Sequence, residues 1–320
     1  MNIAYSCNDS YIPQTGISMI SLFENNRDVD NICVYLISKD VSRVNIEKLK
    51  NIANSYCREF IEIPFEEIAY DLKLSNTGRH IETIYSKVFF PRINNLDKII
   101  YLDSDTIIVG SLKELWAENL EGFYMGAVET NPTLFYKELD LPKGDCFFND
   151  GMAICNVAYC REHNMISDVL KVIDDFKGIP PTLSEGALNK VCYGKVKYIS
   201  LRYNLMAGLL YLCNLDIKYM SKQLHYSEEE LKESCENPII IHYLSAFYNR
   251  PWNVGCSHPY RDKYEKYKSM SPWADMELLN NRLPIKIRMI DKCYKLLGVK
   301  NTIRLHNFVL KFKKNEFVTR

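Results

Sequence analysis

Apolar and polar positions along the first hundred residues switch between two periods. Asn2–Ser6 is an apolar run that suits a strand, and Gln14–Phe23 places Ile17, Ile20 and Phe23 at helical spacing. Ile32–Ile37 reads as a second strand and Val41–Tyr56 as a helix through Val44, Leu49, Ile52 and Ala53. Phe60–Ile63 is short and extended, and Pro64 ends it. Such alternation predicts an α/β domain of parallel strands covered by helices. Glu82–Ile93 has a helical pattern. Lys98–Leu102, a run of β-formers between Asp97 and Asp103, reads as a central strand buried on both faces. Met152–Cys155 is a short apolar run, Val157–Phe176 a predicted helix, and Ile239–His242 a late strand.

Composition narrows this picture. The chain has 320 residues, 47% of them apolar and 25% charged, enough for a sizeable core and too apolar for wholesale disorder. The start, Met1-Asn2-Ile3-Ala4-Tyr5, lacks a basic segment followed by an apolar run, so no secretory signal is expected. No stretch approaches the ~20 apolar residues of a membrane helix. Eleven cysteines occur without a C-x-x-C pair, which fits small thiols in a reducing, cytoplasmic setting better than disulfides or zinc. Net charge is zero but uneven: Arg282–Arg320 carries +9, and the remainder carries −9. With no linker elsewhere, the compositional break near Trp273–Leu283 divides residues 1–272 from a basic helical extension, 273–320. That asymmetry points the extension toward an anionic surface, and no feature points to nucleic acid.

The sharpest local signal is Tyr101-Leu102-Asp103-Ser104-Asp105. Two carboxylates one residue apart, just past a buried strand, stand at the edge where open α/β sheets bind ligands. Like charges this close repel unless a cation joins them, and hard oxygen ligands suit Mg²⁺ or Mn²⁺ bridging to a diphosphate. The plain alternative is a turn with a helix cap. A second enzyme class uses nearly the same letters. Asp103-Ser104-Asp105-Thr106-Ile107 resembles the first motif of haloacid-dehalogenase-type phosphohydrolases, with Asp174-Asp175 imitating the later acidic pair. That family carries the motif on its first strand and has Thr or Val where Ile107 stands. His242, after its apolar run, is either a satisfied structural histidine or a nitrogen ligand that would favour Mn²⁺.

Several further segments occur in a fixed order. They are Asn8-Asp9-Ser10-Tyr11, Arg79-His80-Ile81, Tyr85-Ser86-Lys87, the acidic pair, and Ser111-Leu112-Lys113-Glu114-Leu115-Trp116. Phe148-Asn149-Asp150-Gly151, Ala187-Leu188-Asn189, His242-Tyr243 and Pro251-Trp252 follow. Through this series the chain resembles the retaining glycosyltransferases of family 8, the group of bacterial lipooligosaccharide galactosyltransferases and glycogenin, from Met1 to about Trp252. The resemblance implies a single GT-A domain, Rossmann-like with a mixed sheet, and Mn²⁺-dependent transfer of galactose or glucose from a UDP-sugar with retention. It also implies a glycan acceptor; a lipid-linked one, as in surface polysaccharide or lipooligosaccharide precursors, fits the basic extension.

Carried over position by position, Asp103, Asp105 and His242 would hold the metal, with Ser104 and Asp105 against the donor. Asn8 would meet the uracil edge and Tyr11 its ring. Lys87 would stabilise the departing diphosphate and Arg250 would bind it, Arg standing where the family has Lys. Asn149 would contact sugar hydroxyls. The plain alternatives are a polar strand end for Asn8, a helix-flanking aromatic for Tyr11, a surface lysine for Lys87, a turn residue for Asn149 and a solvated cation for Arg250.

Departures from the family pattern are informative. Asn8 stands where Asp is common. Ser184-Glu185-Gly186 replaces an Asp-Gln-Asp triplet, so Glu185 offers a carboxylate where relatives have an amide. Three roles are open to Glu185: nucleophile in a double displacement, sugar-binding acceptor, or helix-start acid. Relatives with an amide cannot use it as a nucleophile, which favours sugar binding. The loop from His242 to Pro251 is two residues longer than in the galactosyltransferases, with Ser245 near their glycine; with Glu185, it leaves open a non-catalytic, UDP-sugar-binding member of the same fold. In the extension, Ile287, Ile290, Tyr294 and Leu297 share one helical face among Lys286, Arg288 and Lys295; Phe308, Phe312, Lys311, Lys313 and Lys314 follow. Such a segment suits an anionic membrane surface, and the alternative is a helix pair packed on the domain.

Overall fold

The computed structural model describes residues 1–75, 82–130 and 135–318, with side chains described as far as residue 305. Seven strands form one mixed sheet in the order β3-β2-β1-β4-β7-β6-β8. These are β1 (Asn2–Cys7), β2 (Cys33–Ser38), β3 (Glu59–Pro64), β4 (Lys98–Leu102), β6 (Met125–Thr130), β7 (Phe147–Asn156) and β8 (Val196–Tyr198). β3, β2, β1 and β4 run parallel, and β7 is antiparallel to both β4 and β6. The α/β reading and its mixed sheet therefore hold.

Strand periodicity explains how one sheet serves two cores. Ile3 and Tyr5 face one side with Ile100, Leu102, Met152 and Ile154. Ala4 faces the other with Ile99, Tyr101, Ala153 and Cys155. The helices Ile12–Glu24 and Arg43–Ser55 cover the first side through Ile17, Ile20, Phe23, Leu49 and Ile52. On the second side lies the 3₁₀-type helix Glu82–Arg92, in which Tyr85 through Pro91 are all buried. Lys87 is thus no surface lysine.

The predicted helix Val157–Phe176 is two helices, Val157–Glu162 and Met165–Asp175. Asn164 breaks it with φ 52°, a left-handed conformation that asparagine tolerates.

A second sheet positions the site. Its strands are β5 (Thr106–Ile108), β9 (Leu205–Met206) and β10 (Ile240–His242); β10 is the late strand expected at Ile239–His242, whereas β5 and β9 are too short to leave a signal. The chain leaves β4 at Leu102, crosses the two acids, and enters β5 in this other sheet. β10 pairs antiparallel with β5, setting His242 opposite Thr106, and the Tyr243 N–H donates to the Asp105 carbonyl at 2.9 Å.

In the extension, the helix Ile285–Val318 is interrupted at Gly298 (φ 76°, ψ 167°). Its first part packs on the domain: the Tyr211 hydroxyl donates to Asp291 at 2.6 Å, and Tyr294 sits edge-on to Tyr211 and Phe247. Tyr294 is buried and Ile287 and Ile290 are half-buried, so most of the predicted apolar face turns to protein. The exposed apolar residues are instead Ile285, Met289, Leu296, Leu297 and Leu305. Phe308, Phe312 and the neighbouring lysines lie outside the described side chains, and Arg79-His80-Ile81 lies outside the described residues.

Candidate active site

The corner between the two sheets gathers the acid pair. Asp103 closes β4, where its N–H donates to the Gly151 carbonyl at 2.8 Å and its Oδ1 accepts from the Tyr101 hydroxyl at 2.8 Å. His242 Nε2 lies 3.0 Å from Asp105 Oδ1 and 3.6 Å from Asp103 Oδ2. The Asp103 side chain keeps 32% of its surface open, against 8% for Asp105 and none for His242, so the trio presents Asp103 to solvent. Burial pushes the Asp103 carboxyl above its ordinary range. For Asp105 burial acts the same way, but His242 and Arg250 outweigh it and hold the carboxyl low. Burial would lower the His242 imidazole; the acids raise it instead.

This set fits a divalent cation. Metal–ligand bonds of ~2.1 Å at right angles put neighbouring donors about 3 Å apart, close to the spacings here. Gly151 leaves the cradle open: a Cβ there would stand 2.5 Å from Asp103 Oδ2 and against the His242 ring. Two carboxylate oxygens and one imidazole nitrogen suit Mn²⁺, with Mg²⁺ as the harder alternative.

Around the trio, the structure brings together most of the residues singled out in the sequence. Arg250 donates from Nη2 to Asp105 Oδ2 at 2.9 Å and from Nη1 to the Tyr11 hydroxyl at 3.0 Å. Ser104 is buried and accepts from the Thr15 hydroxyl at 2.8 Å, fixing the acidic turn to the helix Ile12–Glu24. Asn8 caps the short turn Asp9–Tyr11, its Oδ1 taking both the N–H and the hydroxyl of Ser10. Accepting from a uracil N–H would require Ser10 to turn away. Asn149 donates from Nδ2 to Glu185 Oε2 at 2.9 Å, and its Oδ1 accepts from the Gly151 N–H at 3.2 Å.

Lys87 is buried under the site with its ammonium on the Asp150 carboxylate (2.9 Å) and the Asp150 carbonyl (2.8 Å), over the Tyr101 ring. Asp150 was not singled out in the sequence. Ser184 donates to the same carboxylate at 2.6 Å, so the segment where relatives carry an acid recruits one from β7. Among the described residues no cation pairs directly with Glu185, and Lys87 offsets its burial only in part. Burial, with Asp150 beside it, pushes its carboxyl up to about 8. Gly186 is required by space, since a Cβ there would run into the carbonyl of Pro181 and the Thr182 hydroxyl. The entry to the helix Ser184–Val191 is strained: Thr182 and Leu183 both have positive φ, Leu183 at φ 61° and ψ −128°. Asn189 pins this helix to β7 through the Phe148 N–H and carbonyl, both at 2.9 Å.

Two features stand apart. Asp174 and Asp175 end a helix in exposed positions, Asp175 paired with Lys171, and the acidic motif follows the fourth strand, not the first. The arrangement of a dehalogenase-type phosphohydrolase is absent from the described residues. Glu129, Cys146 and His225 form a second cluster, but both Glu129 oxygens are satisfied by the His225 N–H and Nδ1.

Residues 2–255 match the profile described as "Glycosyl transferase family 8". Among curated proteins, General stress protein A of Bacillus subtilis is 23% identical over 85% of this chain and 94% of its own length. The Lipopolysaccharide 1,2-glucosyltransferase of Escherichia coli is 21% identical over 86% of this chain and 79% of its own. Two solved structures share the fold. The galactosyltransferase LgtC, in complex with donor and acceptor sugar analogs, has a TM-score of 0.68 at 18% identity, covering 90% of this chain and 99% of that one. The bifunctional glycosyltransferase WbbM has a TM-score of 0.72 at 19% identity, covering 86% of this chain and 50% of that one. The sheet, the order of motifs and the profile agree: the chain belongs to glycosyltransferase family 8, with a GT-A fold.

Proposed function

We propose that this glycosyltransferase moves galactose or glucose from a UDP-sugar to a glycan acceptor, with retention and with Mn²⁺. The convergence of Asp103, Asp105 and His242 beside Arg250 and Tyr11 carries the reading. Asp103, Asp105 and His242 would hold the cation, which when bound neutralises the leaving diphosphate. Arg250 already presents its guanidinium between Asp105 and Tyr11 and offers a bidentate grip on the diphosphate. Lys87, paired with Asp150, anchors the Asn149–Gly151 segment beneath the site, and so acts on the diphosphate only at one remove. Asn149 and Glu185 face the sugar. With its carboxyl pushed up to about 8, Glu185 is mostly protonated at neutral pH, which favours donation to a sugar hydroxyl over nucleophilic attack. The acceptor hydroxyl then attacks the face that UDP leaves, with a diphosphate oxygen taking its proton.

Relatives that act on lipopolysaccharide support a lipid-linked or surface-glycan acceptor. Among the described residues no helix is long and apolar enough to cross a membrane. All eleven cysteines are free, in keeping with a cytoplasmic setting. The extension supports peripheral contact with an anionic inner leaflet: Ile285, Met289, Leu296 and Leu305 are exposed among Lys286, Lys292, Lys295 and Lys300. The site assignment is tested with Asp103→Asn and Asp105→Asn. Each should lose at least about a hundredfold in donor hydrolysis or transfer; full activity in both would sink it.

A further inference from the structure

Asn204 carries no motif, yet it is fully buried between the short turn Leu201–Tyr203 and β9. Its side chain lies between Asn149 Oδ1 and His242 Nδ1, 2.9 Å from each. The direction of these bonds follows from one group that cannot be reversed. The Gly151 backbone N–H donates to the Asn149 side chain, so the Asn149 atom facing it is the oxygen. Asn204 meets that same oxygen and must offer it an N–H. Its own oxygen then faces His242, and the His242 Nδ1 must carry the hydrogen. At the far end, Asn149 Nδ2 donates to Glu185 Oε2. The network runs one way, from His242 through Asn204 and Asn149 to Glu185.

Among the described residues only Asn204 meets Nδ1, so without it no hydrogen bond there would select this tautomer. A neutral imidazole would instead place its hydrogen on Nε2, where Asp105 Oδ1 accepts at 3.0 Å. That hydrogen would cover the lone pair aimed at the acid pair.

Resting on the reading of Asp103, Asp105 and His242 as the metal centre, we propose that Asn204 is its positioning residue. It keeps the neutral His242 ring in the tautomer whose Nε2 is free to bind a cation, and ties that ring to the sugar-facing Asn149 and Glu185. A hydrogen-bonded partner behind a ligating histidine is worth 10- to 100-fold in metal affinity in general.

The test is Mn²⁺ affinity, read from the electron paramagnetic resonance of free Mn²⁺ on the full chain without donor, for wild type, Asn204→Ala and Asn204→Asp. Circular dichroism confirms folding. Asn204→Ala should weaken Mn²⁺ binding about 10- to 100-fold. Asn204→Asp still accepts from Nδ1 but cannot donate to Asn149, so it should stay within about threefold of wild type while losing the link to Asn149. A merely structural asparagine predicts the reverse order, because Asp buries a new charge. Long-range ¹H–¹⁵N spectra of His242 should show hydrogen on Nδ1 in the neutral wild-type ring and lose that preference in Asn204→Ala. If wild type binds Mn²⁺ and Asn204→Ala binds it equally well, the role of Asn204 is overturned. If wild type binds none, the metal reading falls first.

Discussion

Gly151→Ala isolates the geometry of the acid pair from its charge. Gly151 lies inside β7 without a positive φ, so alanine meets no backbone penalty there. Space is the whole cost. The new Cβ would stand 2.5 Å from Asp103 Oδ2 and 3.1 Å from Asn149 Oδ1, where ordinary contact begins at 3.4 Å. Asp103 must therefore retreat by about 0.9 Å, and the His242 ring, whose Cε1 would stand closer still, by slightly more. Overpacking of this size costs about 1–3 kcal/mol, a melting shift of a few degrees that leaves the protein folded. Function should suffer far more, because a ~1 Å displacement of a positioning group costs on the order of 100-fold. The assay pairs thermal unfolding with Mn²⁺ affinity and UDP release from UDP-hexoses. Mn²⁺ affinity and turnover both within twofold of wild type would refute the reasoning that these side chains converge on one cation.

Other consequences follow from the buried charges and the extension. The folded protein holds the Glu185 proton up to about pH 8, whereas the unfolded chain releases it near 4.5. Wild type should therefore match Glu185→Gln in stability below pH 4.5 and fall behind it between pH 4.5 and 8. The slope is at most about 1.4 kcal/mol per pH unit, and parallel pH profiles in chemical denaturation would contradict it. Asp150→Asn strips the carboxylate from Lys87, whose side chain is only 3% exposed, and should cost on the order of 3 kcal/mol. Adding Lys87→Met should recover most of that loss, and no recovery would mean that the pair is not the cause. Vesicles with anionic lipid should retain the full chain and release it when Lys286, Arg288, Lys292 and Lys295 become Gln, whereas equal binding to neutral vesicles would argue against charge-led docking.

What was legible in the sequence was what lies contiguous in it. Asp103 and Asp105 flank one residue just past the buried five-residue strand β4, so their place at a sheet edge could be read from pattern. His242 reaches the pair because β10 lies antiparallel to β5, Arg250 follows in the loop after it, and Tyr11 comes from the turn after β1, the parallel neighbour of β4. They were legible only through family resemblance. Asp150 and Ser184, quoted in the sequence only as parts of motifs, meet across 34 residues, and Asn204, which lies in no motif, is 38 residues from His242 and 55 from Asn149. The surface alternative for Lys87 could not be dismissed from sequence because its helix is buried through Tyr85–Pro91 and has no polar face to compare with. In the extension the apolar spacing did mark a packing face, but against the domain, with Tyr294 on Tyr211 and Phe247.

The central claim is metal-dependent use of a UDP-sugar at the Asp103–Asp105–His242 corner. It is tested most directly by a panel of nucleotide-sugars with Mn²⁺, scoring UDP release with water as the only acceptor and again with a glycan acceptor. The account predicts slow release from UDP-galactose or UDP-glucose, faster release with acceptor, and loss of both with chelator or in Asp105→Asn. UDP binding without turnover of any UDP-hexose, or turnover indifferent to chelator, would contradict it.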